Sequence, residues 1–397
     1  MAQTFQPEKS GELLEWLEYD DEAVRLMAAE NLISSAKAGT YEGERADLAL
    51  RLLRMTDTAI RALAAKESEA LLDEENVDIL RPCLVDEHLG VKRAAAESVE
   101  RIGGEKAAAL LEEYRESEYR LRQRIIREYI SELDDPEKVA EAADNLGVFG
   151  AEAANAIDPL LRVLEESDND RARGGAAQSI GRIGVPDEGC VAALSHAAMH
   201  DAESSVREEA IDALSRSGRE SALITQTFIY ALKHDIPYHQ GRAATALRNC
   251  KEDADAAVRA LIEARRRSTD AVVRLHAIMS LGRLMTVEAA NALVACLRDP
   301  DVEIRMHAAR ALENGGSQAE IVVPALIEAL DDLGSIEHWD MAWTEYVSDR
   351  VESSLRTIGA RALEMLRSAA SSHPRQRVRD AASRLCEAIG AKLHSSS

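Results

Sequence analysis

The chain of 397 residues repeats itself, and few folds accept a chain that repeats at this period. The segments VREEAIDALSRSG from Val206, VRLHAIMSLGRL from Val273 and IRMHAARALENGG from Ile304 are versions of one pattern. Each has a β-branched residue at offset 0, Arg at offset 1, small or apolar residues at offsets 4 and 5, and Leu at offset 8. The same frame fits at Val24, Ile60, Val91, Leu121, Lys138, Ala172, His239, Val347 and Val378, with most spacings 30 to 36 residues. Helical residues advance by about 100° each, so offsets 0, 4 and 8 share one face and each segment buries a single stripe. The period is the length of two helices and two turns.

A second amphipathic helix precedes most of these segments, as in NALVACLRDP from Asn291 and VPALIEALDD from Val323. An Asp-rich turn follows it, with Asp201, Asp235, Asp270 and Asp301 placed to cap the next helix. Gly103, Gly184, Gly218, Gly359 and Gly390 stand where a helix needs a C-terminal stop. A first helix, an Asp turn and a VR..AA..L second helix together resemble the HEAT-repeat family, in particular the HEAT-like repeats of phycobilin lyases. The resemblance covers nearly the whole chain. It implies an all-α, right-handed α-solenoid of about eleven to twelve HEAT-like helix pairs, stabilised by stacking and closed by polar end repeats.

Two places break the period. Between Leu121 and Lys138 the spacing falls to 17 residues, so the helix near residues 118–132 has no regular partner. Between Ile304 and Val347 it stretches to 43, because an insertion, DDLGSIEHWDMAWTEY, separates two helices. The expected organisation is irregular repeats over 1–149, regular repeats over 150–392 with the insertion at 331–346, and a disordered tail at 393–397, with a hinge near 147–151.

Net charge is −23, and of 48 basic residues only nine are Lys. Acidity with scarce Lys resembles the composition of halophilic archaea, whose molar cytoplasmic salt screens such self-repulsion. Aromatic residues are only 4% of the chain, so the core is built from Ala, Leu, Val and Ile. The five cysteines are isolated, with no CxxC pair, which fits buried thiols in a reducing compartment. Neither a signal sequence nor an apolar run of spanning length occurs, and the expected location is cytoplasmic.

The Arg at offset 1 recurs as Arg25, Arg61, Arg122, Arg173, Arg207, Arg274, Arg305 and Arg379, with Asp in the preceding turn. In HEAT-like repeats such residues bond to each other across neighbouring turns, so a structural ladder is expected rather than a phosphate strip. Offsets 3, 6 and 10 of the second helix, which in HEAT solenoids line the concave surface, carry Arg124, Arg127, Arg182, Arg216, Arg242, Arg283, Arg310 and Arg384. The first helices carry Glu112, Glu113, Glu165, Glu166, Glu263 and Glu328. One reading is a basic groove for an acidic or phosphorylated protein. The other is that Arg is this chain's default cation on any ridge. Trp339 and Trp343 in the insertion are either a contact site or a plug for the widened gap.

His196 and His200 stand one helical turn apart, His234 and His239 follow, and His276 and His307 occupy equivalent positions. A His pair at this spacing chelates Zn, but no third ligand falls at a convincing distance, so no cofactor is expected. Deoxyhypusine hydroxylase, a HEAT enzyme, binds iron through His-Glu dipeptides, and this chain has none. Three Trp in an acidic chain argue against a nucleic-acid partner, and no phosphate loop, nucleophile elbow or HExxH occurs. The expected function is a non-catalytic scaffold or adaptor that binds one or more proteins and no membrane. The resemblance extends to the HEAT-like proteins that salt-loving archaea use beside their taxis machinery, which implies a link between taxis signalling and the archaellar motor. The rival is a lyase-like or metal-dependent enzyme, or an enzyme subunit, centred on His196, His200 and His239.

Overall fold

The computed structural model describes residues 10–338 and 343–395. Helix Ala271–Leu284 shows how one repeat is made. Asp270 accepts a hydrogen bond from the Val273 amide at 3.1 Å and starts the helix. Val273, Ala277, Ile278 and Leu281, at offsets 0, 4, 5 and 8, are all buried. Met285 ends the helix in the left-handed region at φ 41°, and Thr286 caps the next helix through the Ala289 amide.

The frame reproduces this outcome along the chain. Buried Ala172, Ala176, Ala177 and Ile180 form the stripe of helix Asp170–Ile183, which Asn169 caps. Gly103, Gly184, Gly218 and Gly359 follow helices with positive φ, as the stops require. Gly390 does not stop anything, because the last helix runs through it as Gln376–Ser395. Of the four turn aspartates, Asp270 and Asp301 cap the next helix, with Asp301 accepting from the Glu303 amide at 2.9 Å. Asp201 and Asp235 instead sit at the C-terminal caps of the preceding helices, where they serve the ladder described below.

The chain forms two compact units, 1–125 and 126–397, each with its own apolar core. In the first, helix Glu22–Ala38 packs on Ser10–Trp16, Thr58–Lys66 on Arg45–Leu53, and Leu89–Ile102 on Arg81–Leu84. In the second, the pairs are Ile157–Glu166 with Asp170–Ile183, Glu188–His200 with Ser204–Arg216, Ala222–His234 with Pro237–Leu247, and Ala254–Arg267 with Ala271–Leu284. Val287–Cys296 with Val302–Ala311, Ala319–Glu328 with Val347–Ile358, and Leu363–Ser372 with Gln376–Ser395 complete it. Each unit is an all-α solenoid of stacked pairs. The first member of each pair is called helix A below, and the second helix B.

The repeat frame at Leu121 does not mark a separate helix. It lies inside a continuous helix, Gly104–Glu132, and the division between compact units falls within that helix at 125/126. Ile126, Leu133 and Val139 belong to the second core, which is why the boundary precedes them. At the expected hinge, residues Gly147–Ala156 form 3-10 turns around a kink at Gly150, φ 52°. Among the described residues the departure from helix is a two-stranded antiparallel hairpin, Ser335–His338 with Trp343–Tyr346, inside the insertion. No helix among the described residues is long and apolar enough to cross a membrane.

Candidate partner-binding site

The offset-1 arginines form the expected ladder. Arg207 donates through Nε and Nη2 to the Asp235 carboxylate at 3.0 and 2.8 Å, and through Nη1 to the Asp201 and Ala202 carbonyls at 2.9 and 3.1 Å. Arg173 grips Asp201 at 2.8 and 2.9 Å and the Ser167 carbonyl at 2.9 Å. Arg305 holds Asp332 (2.7 and 3.2 Å), Arg25 holds Asp57 (2.8 Å twice) and Arg61 holds Asp86 (2.8 and 3.2 Å). Arg274 keeps its turn carbonyls but stands 3.7 Å from Asp301. The rungs of Arg25, Arg61, Arg173, Arg207 and Arg305 therefore tie a helix B to the turn of the following repeat, with most of each guanidinium's donors spent inside the fold. Burial alone would raise the Asp235 carboxyl, but the Arg207 fork, the Ile236 amide and His239 together outweigh it and hold it below the usual carboxylate range.

The arginines proposed for a groove have different fates. Arg242 forks onto Asp212 of the previous helix B, lies 3.4 Å from Glu208, and stacks over the Tyr238 ring at 5.5 Å. Arg216 lies 4.0 Å from the same Asp212 and reaches over Gly181 at the end of helix Asp170–Ile183, beside Arg182. Arg384 bonds Glu352 at 3.1 Å. Arg182, Arg283 and Arg310 are exposed and have no carboxylate partner among the described residues. Arg124 and Arg127 are exposed on the long helix Gly104–Glu132. The ridge is thus a mixture of closed ion pairs and open cations, not one continuous basic strip.

Arg283 borders a cleft of about 380 Å³ at the C-terminal ends of the B helices. Arg219, Arg248 and Lys251 also line it, with Glu220 and Glu252 as its carboxylates. Arg219 is held by Glu188 at 2.8 Å and Lys251 lies 3.7 Å from Glu220, while Arg248 is exposed with no carboxylate partner among the described residues. The cleft is net basic on a chain of net charge −23. Sequence offsets had not singled out Arg219, Arg248 or Lys251, because they lie outside the helix frame, in or beside the turn from B to A.

The histidines lie in separate surroundings. His239 is 2% exposed, with Nδ1 3.1 Å from Asp235 Oδ1, so it belongs to the ladder. His276 lies 2.6 Å from the Thr245 hydroxyl, and burial, then Arg248, lowers its pKa. Burial likewise lowers His307. His196 and His200 are on the outer face of a helix A, apart from the buried His239. Among the described residues no three His, Cys, Asp or Glu side chains converge as metal ligands. Cys83, Cys190, Cys250 and Cys296 are buried, and desolvation pushes the Cys83 and Cys190 thiols up to about 11. In the insertion the backbone of Trp343 pairs with that of His338, and Trp339 lies outside the described residues.

The family profile for HEAT repeats matches residues 45–131, 125–215, 225–313 and 258–336, well over half of the chain. The chain belongs to the HEAT-repeat family. Crystal structures of Kap121p are similar to this HEAT array. One aligns at TM-score 0.50 and 14% identity over 96% of this chain and 45% of its own. A Kap121p mutant aligns at TM-score 0.54 and 13% identity over 95% of this chain and 48% of its own. The chain therefore spans less than half the length of the Kap121p chains it matches, and at such identity the likeness is one of fold. Human deoxyhypusine hydroxylase in complex with glycerol aligns at 22% identity over 72% of this chain and 96% of its own, with TM-score 0.28. No curated protein matches the sequence.

Proposed function

We propose that this HEAT array is a non-catalytic docking scaffold whose helix B arginines receive a carboxylate-rich or phosphorylated protein. The observation that carries the reading is a division of labour among the cations. Arg25, Arg61, Arg173, Arg207 and Arg305 are held by the ladder aspartates, while Arg182, Arg283 and Arg310 stay exposed with no carboxylate of the described chain to satisfy them. A solvent-facing guanidinium without a partner contributes little to folding, yet it forms a bidentate contact when an acidic surface arrives. The finer reading places the scaffold beside a halophile's taxis machinery, linking signalling proteins to the archaellar motor in the cytoplasm. It rests on the chain's size and acidity and on the resemblance of its repeats.

The test is affinity capture from host lysate at cytoplasmic salt, comparing the natural chain with the variant Arg182→Glu/Arg283→Glu/Arg310→Glu. One protein, identified by mass spectrometry, should co-purify with the natural chain and be lost from the variant. Identical retention by both would remove these arginines from the interface. Stoichiometric metal or pigment on a chain that captures nothing would move the enzyme reading to the front.

A further inference from the structure

The outer face of two neighbouring A helices carries a strip of rings that lies outside the buried core. His196 and His200, on helix Glu188–His200, have ring centroids 5.1 Å apart. His200 meets Tyr230 of the next helix A, Ala222–His234, edge to face at 5.7 Å, and Tyr230 lies 4.7 Å from His234. All four residues are exposed. The buried faces of the same helices are already filled by Cys190, Leu194, Phe228 and Leu232. In a chain with eight Tyr, three Phe and three Trp, this run of rings lies on the solvent side, outside the buried core. Rings of this kind, large and with few rotatable bonds, are what interfaces enrich.

The surroundings of the strip decide the sign of its partner. Between helix Ile157–Glu166 and helix Glu188–His200 lies a cleft of about 520 Å³ in which Glu165, Glu166 and Asp168 adjoin His196 and His200. None of these three carboxylates has a cationic partner among the described residues, whereas Arg173 and Asp201 in the same cleft are bound to each other at 2.8 Å. An acidic or phosphorylated segment would be repelled here. We propose that the ring strip docks an arginine-bearing segment of a partner protein, with guanidinium planes lying on the His and Tyr faces and their charge directed to Glu165, Glu166 and Asp168. Arg fits better than Lys because a planar, weakly hydrated cation stacks on a ring while its fork binds a carboxylate. The strip lies on A helices and is chemically opposite to the helix B arginines, so the inference stands independently of the function proposed above.

The test titrates the full-length protein into fluorescein-labelled hexa-arginine and reads anisotropy. The variant His200→Ala/Tyr230→Ala removes rings but no carboxylate, and should weaken binding by about fivefold or more, the loss expected for stacked cations. Glu165→Gln/Glu166→Gln should weaken it comparably. Hexalysine should bind the natural chain less tightly than hexa-arginine, and the gap should close in the ring variant. These side chains are exposed, so circular dichroism and the melting temperature should not move. Arg182→Glu/Arg283→Glu/Arg310→Glu should leave peptide binding at least as tight, which keeps the failure of one surface distinct from failure of the other. Ring-variant binding within twofold of the natural chain would mean generic attraction to an acidic protein and would overturn the proposal, as would no binding by the natural chain.

Discussion

A guanidinium that makes three or more hydrogen bonds in one place acts as a joint, and Arg207 is the best-defined example. It spans the Asp235 carboxylate and two carbonyls of its own turn, with the Asp235 side chain 4% exposed. Arg207→Ala strands that carboxylate, and should cost about 3 kcal/mol in urea denaturation, within the range for breaking a buried pair. The pH dependence follows from the lowered pKa values of Asp201 and Asp235. A carboxyl held below its unfolded value, near 4, contributes stability that is complete above that value and lost as pH falls through the folded one. The melting temperature should therefore drop below about pH 4, and Asp235→Asn should flatten that drop. The pairing of turn Asp with offset-1 Arg was legible in the sequence, because both residues recur at fixed positions. The fate of the other arginines was not. Arg216 and Arg283 both stand at offset 10, but Arg216 lies 4.0 Å from Asp212 and Arg283 faces a cleft. Only comparison of neighbouring repeats, offset by offset, separates them.

Between elements, the decisive quantity is how closely successive B helices approach. A Cβ on Gly282 would lie 2.7 Å from Ala311 Cβ and 2.8 Å from its carbonyl oxygen, and one on Gly181 would lie 2.7 Å from Ala213 Cα. These atoms are backbone or next to it and cannot swing away. Gly282→Ala should therefore destabilise the protein by about 2 kcal/mol despite the gain in helix propensity, as overpacked cores do. Calorimetry would check it, and an unchanged melting temperature would show that the helices can part. A second contact escaped the repeat frame. At offset 7, Ser98 donates to the Lys66 carbonyl at 3.1 Å and Ser354 to Ala309 at 2.8 Å, each joining one helix B to the previous one, and Ser179 donates at 2.5 Å to Ala143 of the preceding helix Val139–Leu146. Serine in a stripe of small residues reads as filler until the neighbouring carbonyl is seen. The long helix Gly104–Glu132 eluded the frame for another reason. Periodicity reports which face is apolar, not where a helix starts, so the match at Leu121 described a face and not a boundary. The hairpin in the insertion was too short and too isolated to carry a strand signal.

For the whole molecule, 71 acidic side chains against 48 basic ones leave a repulsive field that local pairs do not cancel. Raising NaCl from about 0.1 to 1 M shrinks the screening length from about 10 to 3 Å, so the melting temperature should rise by several degrees even though exposed ion pairs weaken. Differential scanning fluorimetry would show this, and a fall would mean that paired charges dominate. The ladder has one more consequence, for ancestry and not for stability. Arg173 and Asp201 are separated by 28 residues, and so are Arg207 and Asp235. An in-frame loss of residues 174–207 would put Asp235 at that same separation from Arg173, completing a rung with no lone charge at the seam. Duplication of the segment works equally well. Such a lineage can lengthen or shorten by recombination in whole modules, with each rung acting as a proofreading mark for the splice.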